Sequence, residues 1–202
     1  MRDDQNTTPY HQTGILESWR KRIPWLLLLT VSAAFTGSVI SHFEGMIGSY
    51  AILTTFLPML MDTGGNAGAQ TSVTVIRGLS LGEIEPRELL RVLCKELCIA
   101  LLCGITLACV VFLKIMVIDF RLQATAVLEN GLRQNNLLIA TLVSLTVLGA
   151  VLLAKTVGVL LPIAAKKLGA DPAVAASPFI TTIVDTLTLL LYFGMASAFL
   201  NI

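Results

Sequence analysis

Long apolar windows alternate with short polar connections along the chain. Five such windows run near Trp25–Ile40, Tyr50–Leu79, Val92–Ile118, Leu137–Ala165 and Ala173–Leu200. A helix needs about 20 residues to cross the hydrocarbon core of a bilayer, and most of these windows are long enough. The pattern therefore predicts an all-α integral membrane protein with five transmembrane helices.

Composition supports the same class. Of the 202 residues, 55% are hydrophobic and 13% are charged, and the mean hydropathy is +0.80. A soluble domain could not hide so much apolar surface from water, so we expect a multi-pass integral membrane protein with the lipid bilayer around it. The net charge of +1 gives no basic field for nucleic acid, and we expect no such partner.

Basic residues are distributed unevenly between the polar connections. With the N-terminus in the cytoplasm, ten of the 14 lysines and arginines fall on the cytoplasmic side and three outside, which leaves Lys155 inside the fourth helix. This asymmetry predicts a cytoplasmic N-terminus and an external C-terminus. We expect Lys155 to be structural and to extend its ammonium group towards the cytoplasmic interface.

The chain is predicted to contain one domain. Residues 1–19 are read as a cytoplasmic lead-in and residues 20–202 as the five-helix membrane domain. The cysteines Cys94, Cys98, Cys103 and Cys109 lie on or beside the third helix without metal-ligand spacing, and we interpret them as small apolar helix residues.

The second window contains a polar stripe in the stretch "LPMLMDTGGNAGAQTS", residues 57–72. Asp62, Asn66 and Gln70 recur every four residues and therefore share one face of a helix. The glycines of the same stretch allow another helix to approach closely. Lipid cannot solvate polar groups, so we expect this face to meet a partner helix or water.

The last window has a similar face. Ser177, Thr181, Asp185, Thr188 and Tyr192 follow the spacing of one helical side. Hydroxyl groups in such helices commonly bond to carbonyls of their own helix, which explains the serine and threonines without a function. A carboxylate within a membrane helix is harder to explain structurally, and Asp185 is the stronger functional candidate.

The two aspartates are predicted to lie at one depth. Asp62 is fifteen residues above Arg77, and Asp185 is fourteen above Asp171, in helices that run in opposite directions. Both carboxylates would thus be on the order of 20 Å above the cytoplasmic boundary, near mid-membrane. A shared site made of oxygen alone suits a hard cation such as Mg²⁺ or Ca²⁺.

Two charged segments lie on the expected cytoplasmic side. Asp171 before Pro172 is typical of a helix start, although a carboxylate at a pore mouth would look the same in sequence. The segment "RGLSLGEIEPRELLRVLCKEL", residues 77–97, alternates in charge and is interpreted as an amphipathic helix with a solvated or headgroup-facing surface.

Several motifs together resemble a known family. They are "RIPWLLLL" at residues 22–29, "PMLMDTGGNAGAQ" running into "VIRGLSLGEI" at 58–84, "KEL" at 95–97 and "DPAVAASPFITTIVDTLTLLLYF" at 171–193. In this order they resemble the membrane domain of MgtE-type magnesium channels and transporters, from about Arg20 to the C-terminus.

The resemblance implies a homodimer of five-helix domains with a Mg²⁺ pathway on the dimer axis. It implies that Asp185 is the main acidic ligand and that Thr181, Ser177 and Asn66 join it around a largely hydrated Mg²⁺, the transported ion. It implies no enzymatic activity and a place in the cell's inner (plasma) membrane. Further residues that could line the pore are Asp62, Gly65, Gln70 and Asp171.

One departure and two alternatives stand beside this interpretation. Family members normally carry a long cytoplasmic region with paired CBS domains, whereas residues 1–19 alone precede the first helix here, which puts gating by those domains in doubt. A Mg²⁺ exchanger coupled to a co-ion such as Na⁺ is one alternative. An intramembrane aspartyl protease that uses Asp62 and Asp185 is the other, although "MD" and "VD" are not that family's sequence contexts.

Overall fold

A computed structural model describes residues 14–119 and 136–200, apart from the side chains of residues 21, 49, 119, 136 and 174–178. The described part is helical and contains no strand. Its helices are α1 (Ile15–His42), α2 (Glu44–Ser49), α3 (Leu57–Leu81), α4 (Leu89–Lys114), α5 (Asn136–Lys167) and α6 (Pro172–Leu200).

Four helices in the described part are long and apolar enough to cross a membrane. They are Ile15–His42, Pro86–Ile118, Leu137–Lys167 and Phe179–Leu200. Helix α3 has 25 residues, which is sufficient length at about 1.5 Å per residue, but it is not among the four. The prediction of an all-α membrane protein is confirmed, and the fifth span stays a prediction.

Helix α5 lies at the centre of the bundle. It packs against α3, α4 and α6, and α3 also packs against α6, whereas α1 packs mainly against α6. In its most apolar window 56% of α5 is buried, compared with 6% of α1. The apolar sides of α1 and α4 therefore face outwards, and the polar stripe of α3 is positioned by α5 and α6.

The second apolar window is not a helix throughout. A 3₁₀ segment, Ala51–Phe56, precedes α3, and Pro58 lies in the first turn of α3, where its missing N–H removes no helical hydrogen bond. The hydroxyl of Tyr192 donates to the carbonyl of Leu53 at 3.1 Å, and both residues are fully buried. Tyr192 is thus a core residue that holds this segment to α6.

The start of α6 confirms the capping interpretation of Asp171. The N–H of Ala173 donates to Oδ1 of Asp171 at 2.9 Å, and Pro172 is the first helical residue. The connection from α5 turns at Gly169, whose φ of 75° lies in the left-handed region that glycine adopts readily. A short, sharply turned connection therefore brings α6 back along α5.

The charged segment of residues 77–97 does not form the expected amphipathic helix. Helix α3 ends at Leu81, and Gly82 has a φ of 73°, which closes the helix in the left-handed conformation. A separate 3₁₀ turn, Pro86–Glu88, then leads into α4. The glycine and the proline break the helix, so the charges of this segment are divided between a turn and the start of α4.

Candidate functional site

Helices α3 and α6 meet at Gly65. A Cβ atom placed on Gly65 would lie 3.6 Å from Oδ1 of Asp185 and 3.7 Å from Cγ2 of Thr181. These two side chains lie on consecutive turns of α6 and face the backbone of α3 because Gly65 has no side chain between them. The structure thus brings together three residues that the sequence placed in one pathway.

This contact lies at an edge of the protomer. Thr181 is exposed, Asp185 is half-buried, and Asn66, which follows Gly65, is exposed. Polar side chains within a membrane-spanning segment are costly to leave in contact with hydrocarbon. The edge therefore needs water or another polar surface beside it.

The polar stripe of α3 lines a cavity of about 540 Å³ between α3, α4 and α5. Asp62, Asn66 and Gln70 all contribute to its wall, which confirms that they share one helical face. Asp62 lies one turn before Gly65 on α3, and Asp185 lies beside Gly65 on α6. Asp62 therefore faces the cavity, whereas Asp185 faces the backbone of α3.

Glycines on the other side of α3 allow the helices to pack closely. A Cβ atom on Gly64 would lie 2.9 Å from Oγ1 of Thr188, and one on Gly68 would lie 3.2 Å from the carbonyl oxygen of Ala154. Gly64 and Gly68 are both buried. The predicted role of the glycines in close helix approach is confirmed, and Thr188 is a packing residue at this contact.

Two further predicted residues complete the set. Ser177 belongs to α6, but its side chain lies outside the described residues. Asp171 is exposed at the start of α6, where it caps the helix, and its position at the pore mouth stays a prediction.

The sequence interpretation missed a buried ion pair. The ammonium group of Lys155 donates to Oε2 of Glu96 at 3.1 Å and to Oγ1 of Thr71 at 3.0 Å. The hydroxyl of Thr71 in turn donates to the same Glu96 oxygen at 3.1 Å. We call these three side chains, one each from α3, α4 and α5, the ion-pair ring.

The ring corrects two expectations. Lys155 does not extend to the membrane interface, because only 7% of it is exposed and its charge is paired inside the bundle. Glu96 does not belong to a solvated surface, because only 9% of it is exposed. The sequence did contain a signal for this pair. Lys155 lies in the middle of one apolar window and Glu96 near the start of another, and a charge inside a membrane needs a counter-charge.

The side chains of Asp185, Asn66 and Thr181 carry carboxylate, amide and hydroxyl oxygens, an atom type that suits Mg²⁺ or Ca²⁺. Within residues 14–119 and 136–200 there is no group of three or more His, Cys, Asp or Glu side chains that could hold a metal.

Comparison with known proteins agrees with these features. The model of the family MgtE, described as divalent cation transporter, matches residues 57–195. A magnesium transporter MgtE from Bacillus subtilis is 34% identical over 181 residues, which are 90% of this chain and 37% of that protein. One from Enterococcus faecalis is 33% identical over 186 residues, 92% of this chain and 38% of that protein.

A third relative, the magnesium transporter MgtE from Thermus thermophilus, is 29% identical over 192 residues. These are 95% of this chain and 39% of that protein. The chain thus spans 37–39% of the length of the curated relatives that it matches.

The matched region includes α3, α4, α5 and most of α6. It therefore covers both the contact of Gly65 with α6 and the cavity lined by the polar stripe of α3. The relatives are named as transporters, which agrees with the expectation of a non-enzymatic protein and gives the protease alternative no support. The chain belongs to the MgtE family of divalent cation transporters.

Proposed function

We propose that this chain is a Mg²⁺ transport domain that conducts the ion as a homodimeric channel. The contact of Asp185 and Thr181 with Gly65, at an open polar edge of the protomer, is the observation that carries the proposal. The printed names of the relatives, all magnesium transporters, supply the identity of the ion.

The proposed arrangement in the membrane uses α3 as a fifth span. Residues 20–202 form the transport domain, with the N-terminus in the cytoplasm, the C-terminus outside and the whole domain in the cell's inner membrane. The polar stripe of α3 makes it a poor lipid-facing helix, and its glycine contacts with α5 and α6 supply the protein surroundings that it needs.

In the proposed site Asp185 is the main ligand. Mg²⁺ gives up its waters reluctantly and requires octahedral geometry, so the ion keeps most of its hydration shell. Its waters donate hydrogen bonds to Asp185, to the carbonyl of Thr181 and to the side chains of Ser177 and Asn66. Asp62, Gly65, Gln70 and Asp171 line the pathway on either side of this site.

A second copy completes the pathway. Thr181 and Asn66 are exposed in one protomer, so this polar edge has no protein surface against it. A two-fold axis along the edge would place a second Asp185 opposite the first. Two facing carboxylates repel each other strongly where the dielectric constant is low. A divalent cation between them removes that repulsion, which makes the pair selective for divalent over monovalent charge.

The test is Mg²⁺ flux into liposomes that contain the purified protein. Asp185→Asn keeps the side-chain size and removes the charge that attracts the cation. We expect flux to fall by about tenfold or more, which corresponds to a loss of about 1.4 kcal/mol or more in interaction free energy. Asp62→Asn is the matched control and should have a milder effect. Chemical cross-linking should show that both variants still form dimers.

Two results would contradict the proposal. Near-normal and magnesium-selective flux through Asp185→Asn would remove this residue from the site. Flux that requires a Na⁺ gradient would indicate a coupled exchanger, because a channel conducts down the Mg²⁺ gradient without a co-ion.

A further inference from the structure

The ion-pair ring lies between two cavities. A second cavity, of about 380 Å³, is found where α3 turns into α4, and charged side chains that include Glu83, Arg91 and Lys95 line it. Glu96 contributes to the wall of this cavity, whereas Lys155 contributes to the wall of the 540 Å³ cavity beside Asp62. Their charged atoms are 3.1 Å apart, so the two members of one ion pair line two different cavities.

Helix α3 shows the same division along its length. Gln70 lines the cavity beside Asp62, Thr74 lines the charged cavity, and Thr71 lies between them in the ion-pair ring. The two cavities therefore follow one another along the same helix. They lie on the two sides of the ion-pair ring along α3.

Stability alone does not explain this ring. Taking two opposite charges out of water costs about as much as their attraction returns, and apolar side chains of similar size often stabilise a protein equally well. Charged residues inside membrane proteins instead tend to mark ion pathways. Each charge of the pair also lines a cavity that holds groups able to receive it, with Asp62 on the side of Lys155 and Arg91 and Lys95 on the side of Glu96.

We propose that the Lys155–Glu96 pair is a gate inside one protomer. In the structure the gate is closed, and it stands between a charged vestibule at the α3–α4 turn and the cavity beside Asp62. When the pair parts, water and a small hydrated cation can pass along α3 to Asp62 and Asn66. This route joins the proposed pathway at Asp62 and Asn66, and it rests on the proposed function for that pathway and for the identity of the cation.

A native cysteine reports on the gate. Cys103 lines the cavity beside Asp62, and Cys94, Cys98 and Cys109 can be replaced by serine to leave it as the single thiol. The protein is placed in liposomes, and the rate of modification by a membrane-impermeant, cationic methanethiosulfonate is measured from the side of Glu83. The variant Lys155→Ala with Glu96→Ala truncates both side chains and leaves neither charge buried alone.

The expected result is slow modification in the parent and modification at least about tenfold faster in the double variant, because thiol reactivity follows access to the aqueous reagent. The matched control is Leu101→Ala with Leu160→Ala, on the same two helices at exposed positions, and it should not change the rate. Lys155→Arg, which keeps the positive charge opposite Glu96, should remain slow. All variants should match the parent in gel-filtration volume and in helix content by circular dichroism.

Equal rates in the parent and the double variant would overturn the gate. The same acceleration in the Leu101 and Leu160 control would also overturn it, because general loosening would then explain the access. The labelling rate does not depend on Mg²⁺ flux. A protein that carries no Mg²⁺ but shows the gated labelling would refute the proposed function and leave the gate in place.

Discussion

Lys155 shows how a single charged residue is held inside a bundle of apolar helices. Its ammonium group contacts a carboxylate and a hydroxyl at hydrogen-bonding distance, and 7% of the residue is exposed. A partner that loses its counter-charge in such surroundings keeps the full desolvation penalty. The two members of the pair should therefore depend on each other more than either depends on the rest of the bundle.

We predict that Lys155→Met lowers the free energy of unfolding by about 3–5 kcal/mol, because Glu96 is left buried without its counter-charge. The double variant Lys155→Met with Glu96→Met should recover most of that loss. The measurement is denaturant unfolding in detergent micelles, followed by circular dichroism. Equal losses in the single and double variants would mean that packing, and not the unpaired charge, determines the effect.

Single-helix spacing allowed some of the site residues to be predicted and not others. Asp62, Asn66 and Gln70 share a face by their spacing alone, and the structure places all three on one cavity wall. The contact between Glu96 and Lys155 joins residues 59 positions apart on different helices. Such a pair depends on how α4 packs against α5. The periodicity of either helix predicts its faces but does not predict which helices pack together.

At the scale of elements, glycines determine how closely α3 and α5 approach. A Cβ atom on Gly158 would lie 2.6 Å from the carbonyl oxygen of Gly68 and 3.0 Å from Cβ of Thr71. The first of these atoms belongs to the backbone and cannot move away without shifting the helix. This contact lies one turn from Lys155, so helix spacing and the ion-pair ring are linked.

Gly158→Ala should destabilise the protein by about 1–3 kcal/mol, because the added methyl group forces α5 away from α3. Gly194→Ala on α6 is the matched control, since nothing lies within 4 Å of its added Cβ. There the better helix propensity of alanine should give a gain of up to about 1 kcal/mol. Thermal unfolding in detergent measures both changes, and a neutral Gly158→Ala would show that the helices separate easily.

The elements themselves were largely predictable, and their ends were not. All five apolar windows contain a long helix, because apolar length is a property of local sequence. The window that begins at Tyr50 contains an irregular turn before α3, held by the contact of Tyr192 with Leu53. A hydrogen bond between residues 139 positions apart is a tertiary feature, and hydropathy cannot predict it.

At the scale of the whole molecule, the distribution of basic residues predicts the orientation. In a background without the native cysteines, His42→Cys should react with an impermeant thiol reagent added outside, because α1 ends there. Leu168→Cys, at a position that is 85% exposed after α5, should react only from the cytoplasmic side. The opposite labelling pattern in oriented membranes would mean that the chain is inserted the other way round.

The central position of α5 has a consequence for biosynthesis. Helix α3 is made before α5 and α6, the two helices that cover its glycine face, and it is not apolar enough to stand among the four membrane-spanning candidates. When it leaves the ribosome, its permanent neighbours have not yet been translated. In the proposed five-span arrangement its stable entry into the bilayer has to wait for the last third of the chain, so we predict that a nascent chain interrupted before α5 leaves α3 outside the lipid.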